Sequence, residues 1–279
     1  MKRALKSMLP LAIGAYYNII AFFSKRAAAT KAYRLFCTPR KGRVLPIQEE
    51  FLKKAKLEKV LVDDMEIQTY HWNGPGKRVM LLHGWESNTY RWRNMIGFLK
   101  EEGYDIIAFD APAHGWSKGK LFHVIRYTAC TKKLVDRYKP AYLIGHSVGG
   151  MNAVYQQYLN PKNSLQKIVT IGSPSEMQDV MKQYQQILGF NDRVMQALDE
   201  LIIAKFGFRI VDFSTSRFAK ELDIDGLVIH DKLDTIAPFR ASEEVHAQWK
   251  GSKLIRTEGF GHSMHQDFVS KEIIDFLNS

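Results

Sequence analysis

A serine stands between two glycines at Gly145-His146-Ser147-Val148-Gly149, directly after the apolar run Tyr142-Leu143-Ile144 and before a helix-compatible segment over 150–159. Few chain geometries accept this arrangement. A G-x-S-x-G pentapeptide joining a buried strand to a helix makes a turn so tight that its serine is strained and lifted clear of the sheet. Gly145 and Gly149 lack Cβ atoms, so strand and helix backbones can crowd together around that serine. The fold must therefore be one in which strands feed helices.

The rest of the chain meets that demand. Short apolar strands are predicted at 79–82, 106–109, 142–145, 168–171, 227–230 and 254–256. Helical periodicity lies between them at 90–100, 126–138, 150–159, 240–249 and 266–277. Strands at 59–62 and 67–72 read as a hairpin turning at Asp63-Asp64. Such alternation implies a mostly parallel α/β sheet with helices on both faces. The pattern breaks between Ser173-Pro174 and Leu222, where two or three amphipathic helices are expected, interrupted near Gly189-Phe190-Asn191-Asp192. There Met177, Met181, Met195, Phe206, Phe208 and Phe213 either line an acyl pocket or hold these helices in place.

Two downstream loops carry further chemistry. The strand Leu227-Val228-Ile229-His230 runs into a loop from Asp231 to Pro238 with carboxylates at Asp231 and Asp234. Later, Gly259-Phe260-Gly261-His262-Ser263 presents a histidine between flexible residues, while His265 falls where the final helix should begin. A serine hydroxyl is a weak nucleophile at neutral pH. An imidazole must take its proton, and a carboxylate must hold that imidazole in the right tautomer. Ser147, then an acid, then His262 is a chain order used by hydrolases on open α/β sheets. Upstream, His83-Gly84-Trp85 follows the strand at 79–82. A tetrahedral oxyanion needs two preorganised N–H donors, and the amides of Trp85 and Val148 are the candidates.

Together these motifs resemble the α/β-hydrolase superfamily over roughly residues 57–279. The segment Asp110-Ala111-Pro112-Ala113-His114-Gly115-Trp116-Ser117 is similar to the family's D-x-P-G-x-G-x-S, with Ala113 in place of the first glycine. The resemblance implies Ser147, Asp234 and His262 as catalytic residues, with Trp85 and Val148 forming the oxyanion hole. It makes His83, Gly84, Gly145 and Gly149 their support. Asp234 rather than Asp231 occupies the family's D-x-x-x-P acid position, leaving Asp231 as a turn-stabilising residue. It also implies a helical cap inserted after the sixth strand. The expected organisation is an N-terminal helical extension over 1–56 and a hydrolase domain over 57–279, with the cap at 176–222. The implied activity is serine-dependent cleavage of small-molecule carboxylic esters through an acyl-enzyme. Thioester hydrolysis, acyl transfer on the same residues and a non-catalytic binding module are the rival readings.

Composition bounds the partners. The net charge is +11, yet the basic residues are not interleaved with aromatics, so nucleic acid is not expected. Cys37 and Cys130 stand far apart without metal-ligand spacing, and neither a metal nor another cofactor is expected. A reducing, cytoplasmic setting follows. Residues 9–23 form an apolar run between basic clusters, shorter than the roughly 20 residues that span a bilayer. Three readings stay open for it: a helix over 11–36 packed on the domain, peripheral contact with an anionic membrane surface, or a signal segment.

Overall fold

The computed structural model describes residues 2–279, with side chains from Met8 onward. In chain order, α1 (Lys2–Phe23), α2 (Lys25–Cys37) and α3 (Pro46–Leu52) precede the hairpin strands β1 (Lys56–Val62) and β2 (Met65–Trp72). Then come β3 (Arg78–Leu82), α4 (Arg93–Glu101), β4 (Asp105–Phe109), α5 (Val124–Tyr138), β5 (Tyr142–His146), α6 (Val148–Leu159) and β6 (Lys167–Ile171). The chain continues through α7 (Met177–Leu188), α8 (Asp192–Phe206), α9 (Thr215–Lys220), β7 (Asp225–Asp231), α10 (Arg240–Gln248), β8 (Ser252–Thr257) and α11 (Asp267–Asn278). All eight predicted strands are present.

The elements divide into two compact units. The larger holds Pro39–Ser175 and Thr215–Ser279 and contains one sheet in the order β1-β2-β4-β3-β5-β6-β7-β8. Pairing is antiparallel from β1 through β2 to β4 and parallel beyond. Successive strand side chains point to opposite faces. Val79, Leu81, Ile106, Ile144 and Leu227 accordingly pack under α4 and α11, while Met80, Leu82, Ile107, Leu143 and Val228 pack under α5, α6 and α10. The chain leaves β3 through α4 on the first face and leaves β5 through α6 on the second. Between the ends of these adjacent strands lies the crevice where open α/β sheets bind ligands.

The smaller unit joins the residues up to Thr38 with Glu176–Ser214. Its boundaries differ from those expected at 56 and 222. Residues 39–56 belong to the α/β unit because Leu52 of α3 is fully buried in the sheet's core beside Trp92 and Tyr70. Helix α9 belongs there too, since Phe218 stacks on Tyr158 of α6 and Ala219 is fully buried. Within the helical unit, α1 rides on the end of α7 at Gly14, where a Cβ would fall 1.8 Å from the Leu188 carbonyl oxygen. Ala28, Ala29 and Ala32 of α2 are fully buried, and the Tyr184 hydroxyl donates to the Ala32 carbonyl. Lys205 of α8 lies over the Tyr33 ring.

The single helix expected over 11–36 is two helices. Ser24 adopts an extended conformation and its hydroxyl accepts from the Ala27 amide, capping α2. Among the residues proposed for an acyl pocket, Met181 and Phe213 are buried, and Phe208 packs on both Phe206 and Phe213.

Candidate active site

Ser147 sits between β5 and α6 with φ 55° and ψ −125°, left-handed backbone that a non-glycine residue rarely adopts. Its amide donates to the Ile171 carbonyl of β6, anchoring the turn to the neighbouring strand. The glycines answer to close approach. A Cβ on Gly149 would lie 2.2 Å from the Leu82 carbonyl oxygen, and one on Gly84 would lie 2.9 Å from the Ser147 Cβ. The loop after β3 thus runs against the serine's Cβ and the His146 carbonyl. Val148 opens α6, so its amide lies in the first turn, where N–H groups have no intrahelical acceptor.

Three side chains from distant loops meet here. His262 Nε2 lies 3.1 Å from Ser147 Oγ, and His262 Nδ1 lies 2.7 Å from Asp234 Oδ2. Asp234 Oδ1 accepts the amides of Ile236 and Ala237. Burial alone would raise the Asp234 pKa, but hydrogen bonds from His230, His262 and Ile236 outweigh it and hold the carboxyl well below its usual range. An ionised Asp234 fixes the proton on His262 Nδ1 and leaves Nε2 facing the serine hydroxyl.

The other candidates separate cleanly. Asp231 is fully buried and accepts from Thr257 Oγ1, the Phe260 amide and the Leu233 amide, so it holds the loop that carries His262. His265 instead lines a small cavity with Arg91, Trp92, Met95 and Val269. His83 donates from Nδ1 to the Gly84 carbonyl and accepts the Ala111 amide at Nε2, and burial pushes its pKa down to about 4. It is a neutral strut beneath the Gly84–Trp85 loop. His114 accepts the Glu86 amide at Nε2 and donates to the Pro112 carbonyl, bracing that loop's far end. Ser117 ties the Asp110 carbonyl to the Gln68 amide. Asp110 accepts from Thr89, Trp116 and the Tyr70 hydroxyl.

Two histidines at the site were not singled out from the sequence. His230 is fully buried at the end of β7, with Nε2 2.9 Å from the Ala237 carbonyl and 3.2 Å from Asp234 Oδ2. Only acceptors surround Nε2, so it carries the proton, and Nδ1 accepts from Ser242 Oγ at 2.5 Å. His146 donates from Nε2 to the His262 carbonyl at 2.8 Å, pinning the histidine loop to the serine turn. Its Nδ1 is buried without a partner among the described residues. The signal for His230 was a titratable residue closing an otherwise apolar strand. For His146 the motif gave none, because that position is variable.

Comparison with known proteins agrees with the sheet. A family model for the alpha/beta hydrolase fold matches residues 77–215. A hydrolase of Bacillus subtilis described as uncharacterized, YugF, is 22% identical over 274 residues, covering 80% of this chain and 98% of its own. The bifunctional esterase/perhydrolase DCH of Acinetobacter calcoaceticus is 23% identical over 270 residues, covering 78% and 98%. Among solved structures, an esterase from Exiguobacterium antarcticum superposes with a TM-score of 0.63 at 19% identity, covering 81% of this chain and all of that one.

Proposed function

We propose that this chain, a member of the α/β-hydrolase superfamily, is a serine hydrolase that cleaves carboxylic esters through an acyl-enzyme. The observation that carries the reading is the unbroken hydrogen-bonded chain from Ser147 through His262 to Asp234, built on a strained serine. As Ser147 Oγ attacks the ester carbonyl carbon, its proton passes to His262 Nε2, and the imidazolium is stabilised by Asp234. Negative charge develops on the former carbonyl oxygen, where the amides of Val148 and Trp85 receive it. Each such donor is worth about a hundredfold or more in rate. Collapse of the intermediate breaks the bond to the alcohol oxygen, which leaves with the proton from Nε2. Water then attacks the acyl-enzyme with His262 again as base, releasing the acid and restoring Ser147. Esterases among the similar proteins support the ester over the thioester.

The test is turnover of chromogenic esters of increasing acyl length, with a thioester of matched acyl group in parallel. Ester hydrolysis that Ser147→Ala lowers by about three to six orders of magnitude is the expected result. Turnover of the thioester alone would move the activity to thioester cleavage. No turnover of either by the native chain would overturn the reading.

A further inference from the structure

The helical unit presents an outward face that its own packing does not account for. On α1, every exposed residue from Met8 to Phe23 is apolar. Ile19 is 62% exposed, Phe22 74% and Phe23 81%, with Leu9, Leu11 and Tyr16 at half or more. At about 100° per residue these positions fall within one half of the helix circumference, a ridge about 24 Å long. The stretch contains no charged residue, and its one amide side chain is turned inward. Asn18 donates to the Gly189 carbonyl and accepts the Asn191 amide. A contiguous apolar surface of this extent marks an interaction site.

Charge selects the partner. No aspartate or glutamate precedes Glu49, whereas Lys2, Arg3 and Lys6 precede the ridge and Lys25 and Arg26 follow it. Lys25 and Arg26 are exposed one residue beyond the Phe22–Phe23 pair, and Lys31 lies over the Tyr16 ring at 5.6 Å. A second copy pairing through this helix would set basic ends against basic ends. An anionic bilayer offers both an apolar interior and a negative surface. Among the described residues no helix is long and apolar enough to cross a membrane.

We infer that the exposed face of α1 docks this protein onto an anionic lipid bilayer, with Ile19, Phe22 and Phe23 entering the acyl boundary and Lys25 and Arg26 at the headgroups. Its test uses the full-length chain sedimented with vesicles of phosphatidylcholine alone, or of equal parts phosphatidylcholine and phosphatidylglycerol. The native protein should pellet with the mixed vesicles, less so as salt rises, because the basic contribution is screened. Phe22→Glu with Phe23→Glu should weaken this binding by about a hundredfold. Lys25→Glu with Arg26→Glu should weaken it by about tenfold and flatten its salt dependence. Ile19→Glu serves as an independent probe if the double phenylalanine variant unfolds. Ser147→Ala should bind as the native chain does, which separates this inference from the proposed hydrolysis. Native protein that ignores mixed vesicles at low salt, or ridge variants that bind unchanged, would overturn it. So would self-association that the ridge variants abolish without any binding to vesicles, which would assign the face to a second copy.

Discussion

Asp234 and Asp231 are buried carboxylates of one loop, and their partners predict different consequences when each is replaced. Asp234 touches His262, so Asp234→Asn should lower kcat by about four orders of magnitude, since the amide can no longer hold the imidazole's tautomer, and it should cost stability as well because the lost carboxylate also faced His230 and the Ile236 and Ala237 amides. Asp231 touches Thr257 and the Phe260 and Leu233 amides instead, so Asp231→Asn should cost about 1–3 kcal/mol of stability and far less activity. Ester kinetics and urea unfolding on the same two variants check both claims, and a reversed ranking would exchange the roles. Ser147, Asp234 and His262 were legible because chain order and glycine-flanked loops restrict them. The supporting histidines were harder to see. His146 earns its contact with the His262 carbonyl only once β5 and the histidine loop are brought together across 116 positions.

The strands were legible at the scale of elements because each is a short apolar run closed by a turn residue, and alternation then assigns its two faces. The break between α1 and α2 was not. Lys25, Arg26 and three alanines are good helix formers that continue the pattern, and only Ser24 before them signals a new start. A methyl group at Gly149 meets the Leu82 and His83 carbonyl oxygens, both backbone atoms of a central strand and its loop that cannot swing aside. Gly149→Ala should therefore destabilise the α/β unit by about 3 kcal/mol or more, measured by urea denaturation. A variant as stable as the native chain would mean that β3 and α6 pack less closely than described.

For the whole molecule, the helical unit was the least legible feature. It assembles residues before Thr38 with residues after Glu176, and apolar periodicity carries no information about which distant segment a helix meets. The α/β unit makes a prediction about acid. Unfolded imidazoles take up protons as pH falls below about 6.5. Folded, burial keeps His83 neutral until about 4 and His114 until about 3. The unfolded state gains protons over that window, so stability falls as pH drops from about 6.5 towards 4, by about 2 kcal/mol for each of these histidines at pH 5. Thermal melts between pH 7 and pH 5 should show the decline, and a flat profile would contradict neutral, buried struts. The proposed hydrolysis requires an activated serine at the β5–α6 turn. Intact-protein mass spectrometry after treatment with a fluorophosphonate reads that out directly, because only an activated hydroxyl displaces fluoride from phosphorus. A single adduct that maps to Ser147 and disappears in Ser147→Ala is the predicted result; an unmodified native chain, or an adduct on another residue, would contradict it.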